Sequence, residues 1–372
     1  MALRRTLTLM LCAITGASLV ATAVPSSAAP GFTISPLRTS DSIQSTSGFV
    51  VHLKDRSASA QRVRTAHAAS AMQATSTSLR GLVDRAAKVR GAHVTESLAR
   101  ANNSMSVQVS QGLNATAAKA FASEIERNPE VESVEPVLHM TINENTGVHP
   151  AAVSSAPNDQ YWNRQWGLNS ENGIDAPGAW ATNTGSGVTV AVIDSGITKH
   201  PDLDGKVLPG YDFISDRYAA GDGNGRDSDP SDEGDWTRAG ACTRRDVPSS
   251  WHGTHVAGII GAATNNARGV AGAAPGAKIL PVRALGHCGG TDVDIADGIT
   301  WASGGEVPGV PTNHNPAKVI NLSLGGPSNY CPITYQRAID AAVSRGSTVV
   351  VAAGNEAMDV RKSTPGNCRN VV

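Results

Sequence analysis

Apolar positions in this chain follow two rules in turn. From Gly48 to Met140 short strand periods alternate with helical ones. Gly48-Phe-Val-Val-His-Leu53 alternates enough to form a strand, and Ser104 to Val109 does so again. Between them, Ala58 to Val89 is rich in Ala, Arg, Gln and Leu and predicts helix. Asn114 stands where its side chain would cap a helix over Ala115 to Asn128, and Val131 to Val137 is a further strand. Strand, helix, strand, helix, strand predicts a small ferredoxin-like α+β domain over residues 46–140.

After a polar, Pro- and Ser-containing linker without periodicity, residues 141–158, the pattern changes. Val188 to Ile193, Lys278 to Val282, Lys318 to Leu322 and Ser347 to Ala352 are nearly continuous apolar runs. Strands buried on both faces read this way and imply a parallel sheet. Helical patterns intervene at His252 to Thr264, Val293 to Ala302 and Thr334 to Ser344. Residues 159–372 are therefore expected to form a doubly wound α/β domain with its site beyond the carboxyl ends of the strands.

The N-terminus adds a destination. Arg4 and Arg5 precede a mostly apolar stretch from Leu7 to Val20, and Ser26-Ser27-Ala28-Ala29 follows, which is the layout of a secretory signal over residues 1–29. The run is shorter than the roughly 20 residues of a bilayer span, and no later segment is long and apolar enough to replace it. A secreted, extracellular chain is expected, free of the membrane once the signal is removed. Cys12 leaves with the signal, so Cys242, Cys288, Cys331 and Cys368 remain as an even set, with three possible disulfide pairings. No Cys-x-x-Cys pair is present, which disfavours zinc. The 372 residues carry a net charge of −1, so there is no electrostatic footprint for nucleic acid.

Three local patterns carry chemistry. Val190-Ala-Val-Ile-Asp194-Ser-Gly196 ends an apolar strand on a carboxylate, which is costly to bury without a partner. Ser250-Trp-His252-Gly-Thr-His255 puts an imidazole at the start of a helix, where one nitrogen can meet a carboxylate and the other a nucleophile. His252 and His255 are three apart with no intervening Glu, unlike a metalloprotease helix, so His255 is expected to be structural. Thr348 to Asn355 again delivers a polar side chain to a strand end, where an Asn amide could donate to a developing oxyanion. Taken singly, the first could be a cap and the third a turn.

Together, in the order Asp, His, Asn on those elements, they resemble the subtilisin-like serine proteases over Asp159 to Val372. The resemblance implies that Asp194 orients His252, that His252 is the general base and that Asn355 is the oxyanion donor. It implies that Ser323, Leu324 and Gly325 pair with extended protein or peptide substrate, opposed by Gly289 and Gly290. It also implies Ca2+, held by Asp159, Asp202 and Asn266 with carbonyls of Thr264, Arg268 and Val270. A second calcium loop is expected at Asp222, Asn224, Asp227 and Asp229. More weakly, the segment before the linker is similar to the family's inhibitor propeptide, an intramolecular partner of an enzyme expected to be monomeric, with cleavage in the linker. With that cleft in mind, the expected disulfides are Cys242–Cys288 and Cys331–Cys368, each tying loops near one side of it. One departure stands out: the family's Gly-Thr-Ser-Met-Ala-type nucleophile motif is absent from these 372 residues. The expectation is the front part of a longer precursor, inactive as it stands; the alternative is a short inactive chain that binds or inhibits proteases.

Overall fold

A computed structural model describes residues 46–66, 70–142 and 156–372, all within one compact unit, Thr39–Val372. The expected signal and residues 143–155 of the expected linker lie outside the described residues.

The N-terminal lobe runs β1 (Thr46–Leu53), α1 (Ala58–Thr65), α2 (Ala71–Ala74), α3 (Thr77–Val89), β2 (Val94–Arg100), β3 (Ser104–Leu113), α4 (Ala115–Ile125) and β4 (Val131–Pro136), and the chain continues into β5 (His139–Ile142). Its sheet has the order β2-β3-β1-β4, a ferredoxin-like arrangement. Apolar residues of the strands and helices, among them Phe49, Leu79, Val83, Met105 and Phe121, close its core. Asn114 accepts from the Ala117 N–H and caps α4 as expected.

Two expectations for this lobe need correction. The helix expected over Ala58 to Val89 is three: the backbone turns extended at Ala66 and at Thr75, and Ser76 accepts the Leu79 N–H to begin a new helix. The strand β2 was not anticipated. It lies at the sheet edge, where Thr95 and Glu96 face solvent and mask the strand period.

The C-terminal lobe begins with two short helices that the pattern does not announce, α5 (Trp166–Asn169) and α6 (Ala176–Trp180). It continues through β6 (Thr189–Asp194), β7 (Tyr211–Asp212), α7 (Arg217–Ala220), α8 (His252–Gly261), β8 (Lys278–Arg283), β9 (Gly290–Thr291), α9 (Asp292–Ala302), β10 (Val319–Leu322), β11 (Leu324–Pro327), α10 (Ile333–Ser344), β12 (Thr348–Val351) and β13 (Ser363–Thr364). The central sheet has the order β12-β10-β6-β8-β7, and every pairing in it is parallel. Successive residues point to opposite faces. Ala191, Ile193, Leu280 and Val282 join α9 and α10 in one core, while Val192 and Ile279 join Val256 and Ala257 of α8 in another. Helices on both faces make this the doubly wound fold expected. Cys242 is bonded to Cys288 and Cys331 to Cys368.

A third sheet joins the lobes, in the order β13-β11-β5-β9. Its strand β5 follows directly on the N-terminal lobe and runs to Ile142, two residues past the expected boundary at 140, and it pairs with β11 and β9 of the C-terminal lobe.

Candidate active site

Strand β6 ends on Asp194, which is fully buried. The turn that follows needs Gly196 (φ 107), because a Cβ there would meet the Pro230 carbonyl oxygen at 2.6 Å. Helix α8 comes up against this turn: a Cβ on Gly253 would lie 2.2 Å from the Gly196 oxygen. That close approach delivers His252, the first residue of α8, to Asp194. His252 Nδ1 lies 2.8 and 2.9 Å from the two Asp194 carboxylate oxygens. The carboxylate also accepts the Ser195 N–H at 2.7 Å. The His252 side chain is only 12% exposed, and its Asp194 partner is 0% exposed. A carboxylate buried this deeply is stable only with such donors. Trp251, directly before His252, holds a left-handed conformation (φ 54) and is exposed, a strained arrangement for a bulky residue. His255, three residues on, is exposed on α8.

Asn355 follows β12, two strands away from β6 in the same parallel sheet and at the same carboxyl edge. It is exposed, and its backbone N–H donates to Glu356 Oε2 at 2.9 Å.

The two edges expected to bind substrate face each other across β5. Leu324 and Gly325 pair antiparallel with Ile142 and Thr141, and Gly290 pairs with Met140. Gly289 sits so close that a Cβ there would meet the Met140 oxygen at 2.1 Å. Ser323 lies between β10 and β11, its Oγ accepting from Asn321 Nδ2 at 2.9 Å. Along β5, Leu138, Met140 and Ile142 turn inward while His139 and Thr141 are exposed, and Met140 is 1% exposed. The chain's own segment thus lies as an extended strand between both edges.

Among the expected calcium ligands, Asp159 and Asp202 are both buried and meet one loop. Asp159 accepts the N–H groups of Asn265 and Asn266, and Asp202 accepts the Val270 N–H at 2.8 Å and the Asn266 Nδ2 at 2.7 Å. Gly269 lets the loop close over Asp202, since a Cβ would meet its Oδ2 at 2.1 Å. Neither carboxylate has an ion-pair partner among the described residues. Asp159 and Asp202 come to this loop from two other segments; carboxylate oxygens are the kind a hard cation takes, and each of theirs accepts an N–H from the loop. The Asn266 Oδ1, expected as a ligand, accepts the Arg268 N–H instead. The second loop does not fit. Asp222 accepts the Asn224 N–H and approaches Arg283, Asp227 accepts from Asn224 Nδ2 and the Asp229 N–H, and Asp229 accepts from Ser231. Asp227 and Asp229 serve their own turn and Asp222 divides between that turn and Arg283, and at neither loop, nor elsewhere among the described residues, is a group of three or more His, Cys, Asp or Glu gathered to hold a metal.

Sequence reasoning missed the acidic residues that support the site. Asp232 receives the Ser195 hydroxyl at 2.6 Å, and Asp235 receives the Ser250 N–H and hydroxyl. Both lie in a long acidic stretch in which nothing local distinguishes one Asp from the next.

Comparison with known proteins shows which family the chain resembles. The family model of the subtilases matches residues 185–372. The chain is 51% identical over 272 residues to an extracellular protease of Xanthomonas campestris pv. campestris, covering 72% of this chain and 44% of that protein. It is 40% identical to thermitase of Thermoactinomyces vulgaris, covering 54% of this chain and 58% of that one. Among solved structures, a protease of Pseudoalteromonas arctica is similar at 54% identity with a TM-score of 0.57, covering 59% of this chain and 65% of that one. Fervidolysin of Fervidobacterium pennivorans is similar at 25% identity with a TM-score of 0.53, covering 85% of this chain and 40% of that one. The chain spans less than half the length of the first curated relatives it matches, 44% and 40%. A parallel sheet that brings a buried Asp against a His at a helix start, together with the match over residues 185–372, places this chain in the subtilase family.

Proposed function

We propose that this chain carries the signal, inhibitory and acid–base portions of an exported serine endopeptidase precursor. The observation that carries the reading is the buried Asp194 carboxylate 2.8 Å from His252 Nδ1. In the complete enzyme a serine hydroxyl attacks the scissile carbonyl while His252 Nε2 takes its proton. Asp194 holds the ring and stabilises the imidazolium that forms, and His252 then returns the proton to the leaving amine. The Asn355 amide donates to the oxyanion that develops on the carbonyl oxygen. No Gly-Thr-Ser-Met-Ala-type motif occurs in these 372 residues, so on this reading the chain alone hydrolyses nothing.

The N-terminal lobe acts as an inhibitor propeptide. Its β5 pairs with Leu324, Gly325 and Gly290 by main-chain bonds, the mode by which an extended substrate would be held. Cleavage after Ile142 frees the cleft. Export is supported by the signal layout and by relatives named extracellular proteases. A calcium ion held by Asp159, Asp202 and the carbonyls of Thr264, Arg268 and Val270 would tie the segment before α5 to the loop after α8; its contribution is stability, not a step of the reaction.

The test is to express the complete gene product as wild type, Asp194→Asn and His252→Ala, and to assay casein hydrolysis. The Asp194 change is expected to lower kcat about 10⁴-fold, and the His252 change at least as much. Wild-type product without peptidase activity after removal of the N-terminal lobe overturns the reading; if that product instead inhibits other subtilases, it is a protease-binding protein.

A further inference from the structure

A single loop, running from Pro230 to Ser250, reaches both members of the Asp194–His252 pair. Asp232, buried, accepts the Ser195 Oγ–H on one carboxylate oxygen at 2.6 Å and the Gly234 N–H on the other at 2.8 Å. Ser195 is 1% exposed, and its Oγ in turn accepts the Gly253 N–H at 3.0 Å. One hydrogen bond therefore joins the residue after Asp194 to the residue after His252, and a second ties them to Asp232. Asp235 takes the other approach. It accepts the Ser250 N–H at 2.6 Å and the Ser250 Oγ–H at 2.8 Å, and Ser250 Oγ accepts the His252 N–H at 3.3 Å.

Helix α8 has no side-chain cap from its own N-cap residue, Trp251. The first N–H groups of a helix lack intrahelical partners. Here those of His252 and Gly253 are taken by the two serine hydroxyls, and each hydroxyl is oriented by one carboxylate. Charged acceptors make the stronger hydrogen bonds. The loop is itself anchored: Thr237 and Val247 pair through both backbone bonds, Cys242 is bonded to Cys288, and His287 Nδ1 meets the Trp236 oxygen at 2.6 Å.

We propose that Asp232 and Asp235 are positioning residues for proton transfer, acting through Ser195 and Ser250 to hold His252 in register with Asp194. The assignment rests on the endopeptidase reading, and one of its readouts does not require hydrolysis. In the 372-residue chain, the low-field proton NMR signal of the His252 Nδ1–H reports its bond to Asp194. Asp232→Ala, Asp235→Ala and Ser195→Ala are expected to shift or erase that signal while the far-UV spectrum stays that of the wild type. Ser195→Thr, which keeps a hydroxyl, is expected to retain it. In the complete gene product, Asp232→Ala with Asp235→Ala is expected to lower kcat about 100-fold with KM unchanged, the scale of a small misplacement of a reacting group. Ser195→Ala added to Asp232→Ala should cost no more than either alone, because both break one chain of bonds. Should Asp232→Ala fail to fold, Asp232→Asn, which keeps an oxygen for Gly234, replaces it. An unchanged His252 signal in folded variants, or a loss confined to KM, overturns the assignment. A chain that loses the signal on mutation, but whose complete product hydrolyses nothing, overturns the endopeptidase reading and leaves the positioning role standing.

Discussion

Asp292 shows how far burial can set a side chain's chemistry against its type. Its Oδ1 accepts the Leu138 N–H at 3.0 Å, while its Oδ2 is buried with no hydrogen-bond partner among the described residues. Burial, reinforced by the charge of Glu135, pushes this carboxyl well above the usual range. The folded chain then keeps a proton that the unfolded chain gives up above about pH 4, so Asp292 costs stability as pH rises from there through its raised native value. Asp292→Asn keeps an oxygen for Leu138 and removes that cost. In urea unfolding at a series of pH values, the variant's stability relative to wild type should increase with rising pH; a constant difference would sink this account. At the same scale the Asp194–His252 contact was legible in sequence, because each residue closes a short local pattern of its own. Asp232, Asp235 and Asp292 were not, because what marks them is burial against residues far away in the chain.

At the level of elements, the N-termini of α9 and α10 hold the N-terminal lobe. Glu135 accepts the Ile333 and Thr334 N–H groups at the start of α10, where a helix favours negative charge. It is also paired with His52 at 2.9 Å, and Arg337 reaches Glu132. On α9 the lobe contributes Arg100, which meets Asp294 at 2.7 Å and Asp297 at 3.3 Å, a pair shared with Arg226. Against the cost of burial, Arg100 and Arg226 hold the Asp294 carboxyl down to about 2. Arg100→Met leaves two buried carboxylates to one guanidinium, and is expected to cost about 3–5 kcal/mol in urea unfolding of the chain. Arg100→Lys should recover only part, because an ammonium cannot reproduce the planar fork. A loss below about 1 kcal/mol, the range of exposed pairs, would show that solvent reaches this network. The parallel strands were legible as apolar runs. The edge strand β2 and the helix breaks at Ala66 and Thr75 were not, since polar edge residues and Ala-rich composition conceal them.

For the whole molecule, the proposed calcium site connects distant stretches, Asp159 before α5, Asp202 after β6 and the loop at 264–270, so its effect belongs to global stability. Added Ca2+ at about 100 times its dissociation constant is expected to stabilise the fold by about 2.7 kcal/mol, seen as a rise in Tm that Asp202→Asn abolishes. A Tm indifferent to Ca2+ and to chelator would refute the site.

By itself the sequence determined the doubly wound lobe, the ferredoxin-like character of the first lobe and the Asp–His–Asn order, because each is written in runs of a few residues whose period or end group is local. Tertiary structure alone decided that residues 139–142 lie between Leu324–Gly325 and Gly290. It alone decided that Asp227 and Asp229 serve their own turns, and that Asp232 and Asp235 reach the two sides of the Asp194–His252 pair. The physical reason is common to all three. Strand register and hydrogen-bond partnership between segments tens to hundreds of residues apart depend on how the lobes pack, and no local period encodes that.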